Sequence, residues 1–269
     1  MKHFSVIGAG NLGTYLIDAL VKKRYSLKYI YKKSKSRQFA FAITDDIRLL
    51  VEQSDFIIIS TQESKIGEAA ELAADSSLLK GKIFFHTSNS LTSDELSSVQ
   101  EKGARVASFS PLQTFPEYSA ATTVDVFNGI FFLAEGDQQA VNLARQVAED
   151  LGAHVLAVNK KEKNYFHIAG VASCNFLIAV LELAENQLKK VGKHDIKILL
   201  PLIKQTLKNV EERGIKASLT GPVKRKEMDI VKKHLEALEK NPDEAALYKA
   251  LTEFLQKRGS ATPTHSRSA

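Results

Sequence analysis

The sequence is poor in cysteine and in long apolar runs, and both shortages exclude classes of protein. Cys174 is the single cysteine among 269 residues, so an internal disulfide is impossible. No group of Cys and His at ligand spacing accompanies it, so no metal site is predicted. We see no apolar run near about 18 residues and no charged-then-apolar leader, and we therefore expect a soluble cytoplasmic protein without a membrane partner.

Acidic residues are scarce at the start of the chain. Residues 1–40 contain nine Lys or Arg and one acid, Asp18, whereas the other residues contain 28 cations and 30 acids. The net charge of +6 therefore comes from one short segment. Such a distribution favours a local anion site over a long face that follows nucleic-acid phosphates, so no nucleic-acid partner is predicted.

Short apolar runs separated by helical patterns fill the first part of the chain. The strand candidates are His3–Ile7, Leu27–Tyr31, Phe56–Ser60, Ile83–His86, Arg105–Phe109, Ile130–Leu133 and Val155–Val158. Runs that are apolar on both faces suit a mostly parallel sheet covered by helices. The fold class predicted is therefore α/β, with an N-terminal Rossmann-type sheet.

After Asn159 the strand-like runs stop and helical patterns take over. The predicted helices are Glu162–Val191, Asp195–Arg213, Lys224–Glu239 and a last one from Pro242 to Lys257. We predict a dinucleotide-binding domain over residues 1–158 and an all-helical domain for dimerisation and substrate binding over residues 159–257. A disordered tail is expected over residues 258–269.

A glycine-rich turn lies between the first strand candidate and an amphipathic helical pattern. Its sequence, GAGNLG, comprises Gly8, Ala9, Gly10, Asn11, Leu12 and Gly13. In this context the first glycine permits the tight turn, the second lets the backbone approach a pyrophosphate, and the third allows close packing of helix and strand. These six residues are predicted to bind a dinucleotide.

The residues that follow the second strand candidate indicate which dinucleotide is bound. NAD-selective folds usually place an acid there, about 20 residues past the glycines. This chain has Lys32, Ser34, Lys35 and Arg37 instead, which suit a 2′-phosphate. The prediction is NADP, as NADPH, and the alternative is a solvated basic turn.

Four segments together resemble a known family. HTSNSLTSDEL (86–96), SFSPLQTF (108–115), FHIAGVASCNFL (166–177) and SLTGPVKR (218–225) occur in this order. They resemble the uncharacterised Rossmann-like proteins with a C-terminal domain of unknown function, DUF2520. That family is related to ketopantoate reductase, pyrroline-5-carboxylate reductase and the 6-phosphogluconate dehydrogenase group. The resemblance implies the fold and a nicotinamide cofactor, without a substrate.

The chain departs from the family pattern at three places. Ser110 stands where the family favours His before Pro-Leu-Gln, and Asn89 stands where it favours Gly after His-Thr-Ser. Arg225-Lys226-Glu227 stands in place of Arg-Gly-Asp after Gly-Pro-Val. If the missing His transfers a proton, this member has an altered substrate or no activity.

Polar residues at the ends of strand candidates form the predicted ligand cleft, because ligands lie outside the carboxyl ends of parallel strands. Cofactor contacts are expected from Ser60, Thr61, Gln62, His86 and Thr87, and substrate contacts from Ser88, Ser110, Pro111 and Gln113. Hydroxyls and amides at strand ends also cap helices, which is the structural alternative.

The first C-terminal helix offers candidate acid–base groups. His167 and Asn175 are spaced to share one side of it, and Lys163 precedes His167 by one turn. A reductase needs a proton donor, for which His167 is the first candidate, Lys163 the second, and Asn175 and His86 further ones. A hydrogen-bonded core pair or a dimer contact is the alternative for His167 and Asn175.

Thr220 and Arg225 in the loop SLTGPVKR are candidates for binding a substrate carboxylate, or they form a plain connection between helices. The predicted function is an NADP-dependent oxidoreductase that reduces a small carbonyl or imine compound, working as a homodimer through its helical domain. The alternative is a non-catalytic NADP-binding sensor or interaction protein of the same fold.

Overall fold

The computed structural model describes residues 1–31, 42–118 and 125–259. Eight strands within these ranges form one sheet. The strands are β1 (His3–Ile7), β2 (Ser26–Tyr31), β3 (Ile43–Thr44), β4 (Phe56–Ile59), β5 (Ile83–His86), β6 (Arg105–Pro111), β7 (Phe131–Gly136) and β8 (His154–Ala157). All seven predicted runs are strands, and only the two-residue β3 was not predicted.

The sheet has the order β3-β2-β1-β4-β5-β6-β7-β8. Neighbouring strands are parallel except for the antiparallel pair β6 and β7. The chain therefore reverses its direction of winding between β1 and β4, and the carboxyl ends of β1, β4, β5 and β6 lie at one edge. Ligands of open α/β sheets bind at this edge. The mostly parallel Rossmann-type sheet predicted from the sequence is confirmed.

Helices cover the sheet and make up the C-terminal part of the chain. They are α1 (Asn11–Lys22), α2 (Ile47–Glu52), α3 (Ile66–Ala74), α4 (Ser97–Gln100), α5 (Gln138–Asp150), α6 (Lys160–Ser173), α7 (Asn175–Lys190), α8 (Leu200–Ser218), α9 (Gly221–Arg225), α10 (Met228–Leu238) and α11 (Pro242–Gly259). Short 3₁₀ turns lie at Glu63–Lys65, Ser93–Leu96 and Ile196–Leu199. The helix α1 buries Tyr15, Leu16 and Leu20, which belong to its predicted apolar stripe.

Two buried clusters hold the sheet between its helices. One contains Phe4, Phe56, Phe85 and Phe109 from the strands together with side chains of α1 and α5. The other joins side chains of β1, β4, β5 and β6 to α3 and α4. Burial of an aromatic or branched side chain contributes about 1.5–3 kcal/mol. These clusters keep the strand ends, and hence the candidate site, in fixed positions.

By its internal contacts the chain divides into two compact units, Met1–Asn175 and Phe176–Ala269. The sequence placed a boundary between residues 158 and 159, where α6 is about to begin. In the second unit the described residues that are buried are Val231, Leu238 and Thr252. The helices α7 and α8 bury none of their residues. This unit therefore has little core of its own.

The long helix predicted over residues 162–191 is divided into α6 and α7 by the single residue Cys174. Asn159 caps α6 with a capping box that includes Glu162, and Cys174 ends α6 with φ −119° and ψ −70°, which is still in the right-handed helical region. The stretch Lys160–Lys190 is long enough to cross a membrane, and a window of 18 residues within it is apolar enough, with a mean hydropathy of 1.7. The expectation that no apolar run approaches about 18 residues is therefore wrong. Length and composition alone do not separate a membrane span from a helix that packs against protein.

The helix predicted over residues 224–239 is also broken, because Lys226 has left-handed geometry with φ 59° and ψ 31°. A left-handed conformation costs a residue with a side chain about 1 kcal/mol relative to glycine. This is the position where the resembled family has glycine. The preceding predicted helix, Asp195–Arg213, instead lies at Leu200–Ser218, with Pro201 in its first turn and a non-helical Gly214 inside.

We predict that Lys226→Gly raises the free energy of unfolding by about 0.5–1 kcal/mol, since glycine adopts this geometry without strain. The matched control is Lys224→Gly, at a helical position of α9, which should cost about 1 kcal/mol. Urea unfolding of the two variants measures both values. Equal destabilisation by both substitutions would contradict the prediction.

Candidate functional site

The glycine turn joins β1 to α1, as the sequence predicted. Gly8 has φ +91°, and a Cβ added to it would lie 2.7 Å from the carbonyl oxygen of Ser60. A Cβ on Gly13 would lie 2.6 Å from the carbonyl oxygen of Gly8. Both distances are shorter than real contacts of a Cβ atom. Gly8 and Gly13 are therefore required by the packing of the turn against the end of β4.

Gly10 differs from the other two glycines. A Cβ added to it would meet no atom of the described residues within 4 Å. Helix α1 starts at Asn11 without a side-chain cap and without an acid in its first turn. Among the described residues no side chain therefore caps the first backbone N–H groups of α1, and the start of this helix is where a Rossmann fold holds a pyrophosphate. This arrangement fits a bound dinucleotide.

The other predicted cofactor residues occupy the same edge. The Thr87 hydroxyl donates to the Ser60 hydroxyl at 3.3 Å, which links the ends of β5 and β4. Thr61 is half-buried, and Gln62 and Asn11 are exposed. Ala9 is buried, and Leu12 packs against the core beneath the turn. The candidates for binding the 2′-phosphate, Lys32, Ser34, Lys35 and Arg37, lie outside the described residues.

His86 is fully buried at the end of β5 and both its ring nitrogens are engaged. Nε2 lies 2.9 Å from the Thr92 carbonyl oxygen, and Nδ1 accepts from the backbone N–H of Ser88 at 3.2 Å. These partners fix the neutral tautomer with the proton on Nε2. Burial lowers the pKa of His86 to about 4, against the opposing effect of the Thr92 hydrogen bond. This geometry favours a role in holding the loop 86–92.

We predict that His86→Gln reduces the loss in free energy of unfolding that wild type shows as the pH falls. In the unfolded chain the imidazole takes up a proton below its ordinary pKa of 6.5, whereas the folded protein resists until about pH 4. Between these values the unfolded state binds more protons, so stability falls with falling pH, by about 3 kcal/mol in total. Glutamine can still donate to Thr92 but takes up no proton.

Urea unfolding between pH 7 and pH 4.5 measures the difference between wild type and His86→Gln. The matched control is His154→Gln on the exposed start of β8, which should keep the wild-type dependence. A His86→Gln variant as acid-sensitive as wild type would show that His86 does not carry the effect.

Lys163, in the first turns of α6, is fully buried. Its Nζ donates to the Ser88 carbonyl oxygen at 3.2 Å and to the Ser108 hydroxyl. Burial lowers the pKa of Lys163 to about 8, although the negative charges of Glu135 and Glu63 oppose the shift. An amine with this pKa exists in both protonation states near neutral pH, which suits a proton donor.

Two carboxylates surround this amine and are held by serine hydroxyls. Glu63 accepts from the Ser88 hydroxyl, and from the Ser90 hydroxyl at 2.7 Å. Burial alone would raise the pKa of Glu63, but these two hydrogen bonds lower it below its usual value. Glu135 is buried on β7 and accepts from the backbone N–H and the hydroxyl of Ser93 at 2.7 and 2.8 Å. Lys163 is thus a buried cation that interacts electrostatically with two carboxylates held by serines.

His167 and Asn175 are placed differently from each other. His167 is half-buried one turn after Lys163, and its charge contributes to the lowered pKa of Glu63. It therefore faces the same group of residues. Asn175 is exposed and starts α7 directly after Cys174.

The predicted substrate residues after β5 and β6 separate into buried and exposed ones. Ser88 and Ser110 are buried and Pro111 lies at the buried end of β6, whereas Gln113 is exposed and accepts from the backbone of Thr114. Ser110 and Ser108 point to the same face of the sheet because they are two residues apart. That face carries Lys163 through its bond to Ser108.

Thr220 and Arg225 lie in the second unit. Thr220 is exposed and precedes α9, whose start it does not cap with its side chain. Both donors of the Arg225 fork, Nε and Nη2, bond to the carboxylate of Glu227 at 2.8 Å. A substrate carboxylate at Arg225 has to displace this internal ion pair.

Sequence reasoning did not find Glu63, Glu135 or Ser108, whereas it singled out Asn89 as a departure from the family pattern. A signal exists for Ser108, since the alternation Ser-Phe-Ser inside β6 places two hydroxyls on one face of an otherwise apolar strand. Glu135 sits inside an apolar strand in the same way. Glu63 carries no comparable pattern, because its partners Ser88 and Ser90 are remote in sequence.

Residues 130–254 match the family model described as a domain of unknown function, DUF2520. The match confirms the resemblance to this family, and it contains two of the four segments, residues 166–177 and 218–225. No curated protein matches the sequence closely enough to count as a relative.

Solved structures share the fold over almost the whole chain. A Bacteroides fragilis protein provisionally described as an NADP oxidoreductase is 25% identical, with a TM-score of 0.81 over 96% of this chain and 98% of its own. An imine reductase from Myxococcus stipitatus, in complex with NADP⁺, is 15% identical, with a TM-score of 0.67 over 95% and 93%. Plasmodium falciparum pyrroline carboxylate reductase, with NADP bound, is 14% identical, with a TM-score of 0.63 over 97% and 100%.

Proposed function

We propose that this chain, whose residues 130–254 match the DUF2520 family, is an NADP-dependent oxidoreductase that reduces a small carbonyl or imine compound. The observation that carries the proposal is the buried Lys163 amine at the same sheet edge as the glycine turn. A dinucleotide over that turn brings a redox group to the edge, and Lys163 supplies the proton that a reduction needs.

The choice of NADP rests on two supports. The segment after β2 is cationic and lacks the acid that binds the ribose hydroxyl in NAD-selective folds. The Bacteroides protein is described as an NADP oxidoreductase, and the Myxococcus and Plasmodium structures contain NADP. When bound, NADPH supplies a hydride to the substrate carbon.

Residues of the chain supply the proton and hold its donor in place. The Lys163 ammonium gives a proton to the substrate oxygen or nitrogen as that atom gains charge, and water then restores the ammonium. The hydrogen bonds to Ser88 and Ser108 orient Nζ, while Glu63 and Glu135 favour its charged form. His167, one turn further along α6, is the second candidate donor.

The helical part is proposed to form a homodimer. On α7 and α8, large apolar side chains are exposed, among them Phe176 (63%), Ile178 (61%) and Leu202 (65%). An exposed apolar surface of this extent is normally covered by a partner. Sedimentation of the purified protein tests the proposal, because a monomer or a species that requires detergent would overturn it.

Cofactor titration tests the proposed function directly. NADPH should bind at least about tenfold more tightly than NADH, and Lys35→Glu combined with Arg37→Glu should remove this preference. The matched control is Lys22→Glu combined with Lys23→Glu, at the opposite end of α1, which makes the same change of charge. Absence of binding at millimolar NADPH, or an unchanged preference in the first variant, would overturn NADP as the cofactor.

Turnover separates the proposal from its alternative. NADPH oxidation is measured with oxo acids, aldehydes, hydroxy ketones and cyclic imines. Oxidation with any of these classes supports an oxidoreductase. Tight NADPH binding without oxidation by any class supports a non-catalytic NADP-binding protein.

A further inference from the structure

Two buried polar atoms at the carboxyl edge have no hydrogen-bond partner among the described residues. They are the Ser110 hydroxyl and the Asn89 side-chain oxygen. The orientation of the Asn89 amide is fixed, since its nitrogen donates to the Pro111 carbonyl oxygen at 3.0 Å. Burying an unpaired polar group costs free energy, so each such group needs an explanation.

Asn89 and Ser110 adjoin the two hydrogen-bond partners of Lys163 and come after them along the chain, toward the carboxyl ends of the strands. Lys163 bonds to the Ser88 carbonyl and the Ser108 hydroxyl. Asn89 follows Ser88 directly, and Ser110 follows Ser108 by two residues on the same face of β6. Ligands of this fold lie on that side of the strands. Asn89 and Ser110 are also two of the places where the chain departs from the family pattern.

We infer that Asn89 and Ser110 form a subsite for a hydroxyl or amino group next to the carbon that is reduced, so that the substrate is a hydroxy or amino ketone, or the matching imine. This inference rests on the proposed function. The Asn89 oxygen only accepts hydrogen bonds and therefore needs a donor on the ligand. The Ser110 hydroxyl can donate or accept, and the Lys163 ammonium retains a third N–H for the ligand oxygen or nitrogen.

The same atoms disfavour an oxo acid. A carboxylate has acceptors only, so it would place a negative oxygen against the Asn89 oxygen and near the anionic Glu63. Lys163 is the only buried cation in the described part of the chain, and the one N–H that Ser88 and Ser108 leave free is assigned to the reacting oxygen or nitrogen and not to a carboxylate. The subsite thus selects for a neutral donor group.

Binding to the complex with NADP⁺ tests the inference without any need for turnover. The probes are hydroxyacetone, its methyl isostere butanone, and pyruvate, together with matched series of increasing chain length. Hydroxy ketones should bind at least about tenfold more tightly than both other classes. Asn89→Leu should remove this advantage and leave the affinity for the methyl isosteres unchanged.

Ser110→Ala adds a readout that is independent of ligands. It removes an unpaired buried hydroxyl and should therefore raise Tm by about 2–4 °C. It should also weaken the binding of hydroxy ketones at least about threefold. The control is Ser98→Ala, whose hydroxyl on α4 is also buried without a partner. That variant should gain in Tm and keep all affinities.

The outcomes separate the subsite from the proposed function. A lower Tm for Ser110→Ala, or no preference for hydroxy ketones in any series, overturns the subsite. NADPH oxidation that is fastest with oxo acids overturns the subsite and supports the oxidoreductase. If hydroxy ketones bind more tightly to the NADP⁺ complex but no compound supports NADPH oxidation, the result supports the subsite and overturns the oxidoreductase.

Discussion

Replacing Lys163 with methionine is expected to lower kcat for NADPH oxidation by about 10²- to 10⁴-fold and to leave the affinity for NADPH within about threefold of wild type. Methionine fills the same volume as the lysine stem but has no proton to give. The affinity for cofactor is kept because Lys163 bonds to Ser88 and Ser108 at the ends of β5 and β6, away from the glycine turn. Single-turnover kinetics and a fluorescence titration measure the two quantities.

Lys160→Met is the matched control for this substitution. Lys160 lies one turn earlier on α6, where its side chain is 54% exposed and forms an ion pair with Asp94. Exposed ion pairs contribute about 0–1 kcal/mol, so this variant should keep both turnover and stability. A Lys160→Met variant as inactive as Lys163→Met would point to a general disturbance of α6 instead of a lost proton donor.

The pH profile distinguishes a proton donor from a structural lysine. The donor is the ammonium form, and the pKa of Lys163 is about 8 because burial disfavours its charge. Above that pH, kcat should fall about tenfold per pH unit, and the residual rate of Lys163→Met should not show this fall. If His167 is the donor, His167→Gln should lower kcat about 10²- to 10⁴-fold and Lys163→Met should keep turnover.

The lowered pKa of Lys163 also predicts how the free energy of unfolding changes with pH. Between about pH 8 and the ordinary lysine pKa of 10.5 the unfolded chain holds a proton on this amine that the folded chain has lost. Stability contributed by Lys163 therefore rises with pH across this window, by about 2–3 kcal/mol. Urea unfolding at pH 7.5 and at pH 10 gives the free energy of unfolding of wild type and of Lys163→Met. The difference between the two proteins should be larger at pH 10 than at pH 7.5 by the amount of this rise.

The sheet was predictable because its strands are apolar on both faces, which leaves a clear signal in short runs such as FIIIS and IFFH. The two helix breaks were not predictable. Cys174 and Lys226 are ordinary residues within helical patterns, and neither is a glycine or proline that would mark an end. Their backbone angles follow from how the flanking segments pack, which a single sequence does not reveal.

The site was predictable where its residues are close in sequence and obscure where they are not. The glycine turn and the strand-end hydroxyls follow from a local motif and from the rule about strand ends. The environment of Lys163 comes from residues 75 and 55 positions away, and that of Glu135 from a serine 42 positions away. Only the folded sheet brings these groups together, which is why the sequence ranked His167 before Lys163.

The glycine turn provides the second large effect, in which two similar substitutions have opposite consequences. Gly13→Ala should lower the free energy of unfolding by about 2–3 kcal/mol, because its Cβ would lie 2.6 Å from the Gly8 carbonyl oxygen and the backbone would have to move. Gly10→Ala should change stability by less than about 0.5 kcal/mol, since φ is −70° and no described atom lies within 4 Å of the added Cβ.

Gly10→Ala should nevertheless weaken the binding of NADPH at least about tenfold, because the new methyl group occupies the space through which the backbone approaches a pyrophosphate. Urea unfolding and fluorescence titration of the same preparations measure stability and affinity side by side. A folded Gly10→Ala protein with wild-type affinity for NADPH would place the phosphates elsewhere, and the open space above this glycine would then need another explanation. A loss of affinity without a loss of stability, by contrast, assigns that space to the ligand, because nothing else in the described chain competes for it.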